Sequence, residues 1–295
     1  FKILRILAIN IIMKINRENI EIFNYQENEL NSSLVLSSPH SGNYYPKDFL
    51  SLCQIDPLKL CQNEDSLVDK LFKFPLLNKN VFLKAIWSRS VVDVNRSIND
   101  FQKNDFNPQI KNIASNPSKY ALSGIGVIPS RSGVNEKIYS SSISGLIASS
   151  WLEIAWSSYH DHLSLILNKA LKKYNHYILL DFHSMPSSVQ SKSLDADIVL
   201  GDCYGKTTTP KILNFIEKFF ITNGLKVKKN FPYSGGYITE NYGDPSLNRH
   251  SLQIEINRPL YLNEKTRTKN SNFYNCQKLV TDLVDTVEKN KDELL

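Results

Sequence analysis

Two of the chain's six histidines follow apolar runs directly: His40 ends LVLSSPHSG (34–42) and His183 ends YILLDFHSM (177–185). In open α/β sheets, ligands bind beyond the carboxyl ends of strands. A single histidine there is readily accounted for by the core. Two at separate strand ends point to a shared metal ion. Asp181 lies two residues before His183, and strand side chains alternate, so both belong to one face. A carboxylate so placed can hold a ligand imidazole by a hydrogen bond, as around zinc, or serve as a cap or turn residue. A catalytic zinc takes three protein ligands and keeps one position open, so a carboxylate is the natural third. Glu64, Asp65 and Asp69 in NEDSLVDKLF (63–72) are the candidates. That segment reads as a helix capped by Asn63, with Leu67, Val68, Leu71 and Phe72 buried. Acids in a first helical turn are also favoured by the helix dipole alone.

Other apolar segments end in groups of the same kind. LQIEINR (252–258) carries Glu255, Asn257 and Arg258, VLGDCYG (199–205) carries Asp202, and SRSVVDVNR (88–96) carries Arg89, Asp93, Asn95 and Arg96. Glu255 points away from Ile254 and Ile256, so it is either a general base or half of a structural ion pair. Arg96 and Asn95 suit a carboxylate, because guanidinium is a rigid two-pronged donor. Arg89 and Arg258 suit the same role, or salt bridges to the frame. PYSGGYITENYG (232–243) has a Gly-Gly pair that permits close backbone approach or a hairpin. Ser41 and Ser184 adjoin the histidines, but no G-x-S-x-G elbow surrounds them, which disfavours a serine nucleophile.

The elements that must position these groups alternate in type. Strands are expected at 34–38, 81–87, 177–183, 197–202 and 251–261, and helices at 64–73, 143–173, 209–223 and 271–290. This is the pattern of an α/β sandwich with a mixed, largely parallel sheet. One domain is expected over residues 13–295, with a polar, weakly periodic insertion around 97–142 acting as a lid. The 295 residues are 41% hydrophobic, enough for a substantial core. The net charge of +6 is spread along the chain, which argues against nucleic acid as a partner. The four cysteines have no metal or redox spacing and read as reduced thiols in a cytoplasmic protein. FKILRILAINII (1–12) is too short to span a bilayer and is expected to be an upstream extension, with translation starting at Met13.

Taken in order, PHSGNYYP, EDSLVD, SRSVVDVNR, LLDFHSMP, LGDCYG, PYSGGYITENYG and LQIEINRPLY resemble the N-formylglutamate amidohydrolase family over about residues 34–262. DVNR, DFHS and IEIN are more distantly similar to motifs of zinc carboxypeptidases and aspartoacylase-like deacylases. The resemblance implies a phosphorylase/hydrolase-like three-layer α/β sandwich with one zinc (or another divalent metal) per chain. It implies His40 and His183 as ligands, Glu255 as general base, and Asn95 and Arg96 at the substrate carboxylate or developing oxyanion. Asp93 would support His40. The carboxypeptidase pattern has a glutamate three residues after the first histidine, where this chain has Asn43. The carboxylate must then come from elsewhere, and the amidohydrolase resemblance implies Asp65 as the third ligand, with Glu64 next. The implied reaction is hydrolysis of the N-formyl amide of N-formylglutamate, or of a related N-acyl acidic amino acid, in histidine catabolism. The rivals are a zinc deacylase or peptidase for other N-acyl amino acids and a non-catalytic binding protein on the same scaffold.

Overall fold

The computed structural model describes residues 20–23, 30–73, 80–189 and 195–295. The proposed extension at 1–12 and Met13 lie outside the described residues. The chain divides into two compact units. The first holds Gly42–Glu64 and Lys84–Leu163 with Ile20 and Glu21. The second holds Ile22–Ser41, Asp65–Leu83 and Ser164–Leu295.

A seven-stranded sheet is built from β1 (Ile20–Phe23), β2 (Leu34–Ser38), β3 (Val81–Ala85), β4 (Tyr177–Met185), β5 (Ile198–Gly201), β6 (Val227–Lys229) and β7 (Arg249–Asn257). The strand order is β1-β3-β2-β4-β7-β5-β6. β2 and β4, β4 and β7, and β5 and β6 pair in parallel, whereas β5 and β7 are antiparallel. The expected mixed, largely parallel α/β sheet is thus present. Every residue of β4 is buried, as a central strand requires.

Alternation sorts the two faces of β2, β4 and β7. Leu34, Leu36, Ile178, Leu180, Phe182, Leu252, Ile254 and Ile256 join one apolar core. Two helices add their apolar stripes to it. The first, Pro210–Thr222, contributes Ile212, Leu213, Ile216 and Phe220 at helical spacing. Its start is set by Thr209, whose side chain accepts from the Ile212 N–H, and by a proline in the first turn. The second, Phe273–Asn290, contributes Phe273, Cys276, Val280, Leu283, Val284 and Val287.

In the first unit, residues 97–142 are more ordered than their composition suggests. They hold a 3₁₀ turn (Lys103–Asp105), a helical turn (Lys119–Leu122) and an Arg131–Lys137 bridge, with Val127, Ile128 and Ile138 buried. The helix expected over 143–173 runs as Gly145–Trp151, a π-helical stretch Leu152–Ser157, then Ser158–Tyr174.

The helix expected over 64–73 does not form. 3₁₀ turns cover Cys61–Asn63 and Val68–Leu71, Glu64 is extended, and Leu67 is left-handed at φ 64°. A tertiary bond overrides the helical pattern: the Asp65 N–H donates to the His40 carbonyl at 2.9 Å. Of the four expected apolar positions Val68, Leu71 and Phe72 are buried, whereas Leu67, left-handed, is only partly buried.

Candidate metal centre

Strand β2 ends at Ser38, and Pro39 turns the chain so that His40 follows immediately. His40, Asp65 and His183 are 2%, 2% and 2% exposed, so their polar atoms must find partners within the protein. His183 Nδ1 lies 3.1 Å from His40 Nδ1 and 3.1 Å from Asp65 Oδ2, and His40 Nδ1 is 3.5 Å from the same oxygen. Among the described residues, this is the one group of three or more His, Cys, Asp or Glu placed to share a cation.

His183 and Asp65 are each oriented from behind. His183 Nε2 is 2.9 Å from Asp181 Oδ2, and Ser37 Oγ donates to the other Asp181 oxygen. Asp181 and His183 thus share a face, as their spacing predicts. Ser37 stands in register beside Asp181 across the β2–β4 ladder. Asp65 Oδ1 accepts from Ser184 Oγ at 3.2 Å and from Arg258 Nη2 at 3.3 Å, which turns Oδ2 toward the histidines. Arg258 Nε also donates to Ser184 Oγ at 3.1 Å. Glu255 stands in register beside His183 on β7 and is one of the charges acting on its ring.

The donor set fits a metal. With Asp181 taking the proton of Nε2, the Nδ1 lone pair of His183 faces a second imidazole nitrogen and a carboxylate oxygen. Three such atoms in a dry site repel unless a proton or a cation lies among them. Donors about 2.0–2.2 Å from a tetrahedral zinc are about 3.3–3.6 Å apart, close to the 3.1, 3.1 and 3.5 Å seen here. Without metal, protons fill this role. Burial works against charge on Asp65, but hydrogen bonds from His183 and His40 hold it well below the usual carboxylate range. Burial likewise opposes charge on His183, and Asp181 and Asp65 outweigh it, pushing the imidazole well above its ordinary value.

The other candidate carboxylates are differently engaged. Glu64, in the first unit, accepts from Tyr45 Oη at 2.5 Å, and Ser88 Oγ donates to the same Tyr45 oxygen at 3.0 Å. Burial, with the Glu64 charge beside it, pushes the Tyr45 phenol upward. Asp69 lies 3.1 Å from Lys70 Nζ. Of the four residues expected to hold substrate, Arg258 pairs with Asp65, and the other three lie together in the first unit. Arg89 Nη2 is 2.6 Å from Asp93 Oδ2, and the Asn95 N–H donates to Asp93 Oδ1 at 2.9 Å. The Arg96 guanidinium lies 4.3 Å over the Tyr120 ring. Trp156 Nε1 donates to the Arg96 carbonyl and His160 Nε2 bonds the Val94 carbonyl, each at 2.8 Å, so two aromatic residues hold this turn.

Ser37 and the Arg258–Ser184–Asp65 contacts were absent from the sequence expectations. Stepping two residues at a time along β2 and β4 picks out Ser37 as it does Asp181. Nothing in the sequence marks Arg258 as a partner of Asp65, which lies far from it along the chain.

The N-formylglutamate amidohydrolase family model matches residues 32–262. An N-formylglutamate deformylase of Pseudomonas putida is 24% identical over 236 residues, covering 78% of this chain and 82% of that protein. An enzyme of the same name from Pseudomonas aeruginosa is 23% identical over 240 residues, covering 79% and 83%. The crystal structure of N-formylglutamate amidohydrolase from Ralstonia eutropha JMP134 superposes with a TM-score of 0.86 at 29% identity, over 94% of this chain and 99% of that one. With the match spanning six of the seven strands and every residue of the buried cluster, the chain belongs to the N-formylglutamate amidohydrolase family.

Proposed function

We propose that the protein is a zinc-dependent hydrolase of the N-formyl amide of N-formylglutamate, releasing formate and glutamate. The observation that carries the proposal is the buried His40–Asp65–His183 triangle with Glu255 beside it, in a chain of this family. In this reading His40, Asp65 and His183 hold one divalent ion. Zinc bound there supplies Lewis acidity, which polarises the formyl carbonyl and makes water a better nucleophile near neutral pH.

The protein's own groups supply the rest. The Glu255 carboxylate takes a proton from the attacking water and returns it to the departing amino nitrogen. Asp181 keeps His183 in one tautomer, and Ser184 and Arg258 hold the Asp65 carboxylate in plane. Arg96, with Asn95 beside it, is assigned to a substrate carboxylate. Arg89 and Arg258 are kept as further candidates for that contact, beyond their aspartate partners. The segment 97–142 is assigned as the lid, in a single amidohydrolase domain. Such an enzyme would act in histidine catabolism in the cytoplasm.

Release of the free amino acid from N-formylglutamate, N-formylaspartate and N-acetylglutamate by the zinc-loaded protein, with formate the co-product of the first two and acetate of the third, tests this. N-formylglutamate is expected to be the best substrate. A preference for the acetyl compound would favour a broader deacylase. No turnover of any of the three, in protein that retains zinc through dialysis, would favour a binding protein and sink the proposal.

A further inference from the structure

Asp181 and His183 form a pair two residues apart on one strand, the first holding the second. The neighbouring strand repeats the arrangement. Gln253 and Glu255 stand in register with Asp181 and His183, respectively, and are 4% and 5% exposed. Gln253 Nε2 donates to Glu255 Oε1 at 2.9 Å. The Gly236 N–H donates to Gln253 Oε1 at 2.8 Å. A backbone N–H can only donate, so the amide oxygen must face Gly236 and the amide NH₂ must face Glu255. The direction of the bond to Glu255 is therefore dictated by the backbone.

Two further sequence motifs bring that backbone into place. Gly201 is the register partner of Gln253 on β5, and a Cβ at Gly201 would lie 2.7 Å from the Gly235 nitrogen. Cys203 and Tyr204 are left-handed, at φ 51° and 59°, and Gly205 follows at 83°. Left-handed backbone is costly for residues with a Cβ. From this turn the Cys203 N–H donates to the Ser234 carbonyl at 2.6 Å. Gly235, at φ 124°, passes so close that a Cβ on it would be 2.7 Å from Cys203 Sγ. LGDCYG and PYSGG together form a bracket that presents the Gly236 N–H to Gln253.

We propose that Gln253 is a positioning residue for Glu255, and that the bracket of residues 201–205 and 234–236 exists to orient its amide. By tying Oε1, the amide fixes the plane of the Glu255 carboxylate and limits its rotamers. A proton acceptor held in one geometry transfers protons faster than a mobile one. The inference rests on Glu255 being the general base of the proposed reaction.

The test uses the zinc-loaded enzyme with Gln253→Met, which keeps the volume and removes both bonds, and Gln253→Glu, which keeps the shape and places a second carboxylate against Glu255. Turnover should fall about 10- to 100-fold in each, with KM and zinc content within about twofold of wild type. In a Glu255→Gln background Gln253→Met should change the residual rate by less than about twofold, because the two residues act as a unit. A crystal structure of Gln253→Met should show the Glu255 carboxylate displaced. Wild-type turnover in both variants, an equal loss in the Glu255→Gln background, or an unmoved Glu255 would each overturn the proposal. If Gln253→Met does not fold, Gln253→Glu carries the same kinetic and structural readings. If Glu255→Gln itself turns over normally, the general-base reading fails, and the crystal structure still decides whether Gln253 positions Glu255.

Discussion

At the scale of single residues, the site is a set of side chains each held by another. Asp181 selects the nitrogen that His183 presents, and Arg258 with Ser184 selects the oxygen that Asp65 presents. Replacing Asp181 by Asn should leave a folded protein whose zinc affinity, measured by competition with a chelating dye, is about 10- to 100-fold weaker. Asp65 and Glu64 are adjacent in sequence but belong to different networks. Asp65→Asn should therefore lose bound zinc in elemental analysis, whereas Glu64→Gln should retain it. Retention by Asp65→Asn with loss by Glu64→Gln would reverse the ligand assignment. Glu255→Gln should stay folded and zinc-loaded while turnover drops at least about 10²-fold. Four of the five polar segments read as strand ends do end strands of the sheet, because apolar runs and alternation are local, whereas Arg89, Asp93, Asn95 and Arg96 lie in turns beyond β3. Which acid of NEDSLVD meets the histidines was not legible in the sequence, because that depends on a bond between Asp65 and the His40 carbonyl.

At the scale of elements, local pattern predicted well where packing agreed with it and failed where a distant contact intervened. The helix Pro210–Thr222 starts where Thr209 and Pro210 say it should. Thr209→Ala should lower unfolding free energy by about 1 kcal/mol in denaturant titrations, with no change in KM. The segment 64–73 has helical spacing but holds only one short 3₁₀ turn, Val68–Leu71, since Asp65 is bonded to His40 and Leu67 is left-handed. Residues 97–142 read as a polar, weakly periodic insertion because their apolar residues lack a period. Their order comes from particular bonds: Asp100 accepts from the Ser118 N–H at 2.7 Å, and its carbonyl accepts from Val127 N at 2.8 Å. Backbone bonds of this kind leave no periodic trace in a sequence.

At the scale of the whole molecule, burial sets a dependence on pH. Burial, with His176 nearby, pushes His250 down to about 4, so it folds as the neutral form. Burial pushes His176 in the same direction. An unfolded chain binds these protons near pH 6.5, the folded one only below it. The resulting stability is complete above about pH 6.5 and is lost as the pH falls toward about 4. Melting temperatures should fall across that window, and His250→Gln should flatten the fall; an unchanged slope would remove His250 as its source. Among the described residues no helix is long and apolar enough to cross a membrane.

Taken alone, the sequence determined the sheet class, most of its strands, the two histidines and the family, because these rest on local alternation and on ordered motifs. The tertiary structure decided that Asp65 rather than Glu64 closes the buried triangle, that Arg258 pairs with Asp65, and that a glycine bracket holds Gln253 against Glu255. Those choices depend on register between strands and on backbone bonds between residues far apart in the chain. No single stretch of sequence contains both partners, so only the folded chain brings them together.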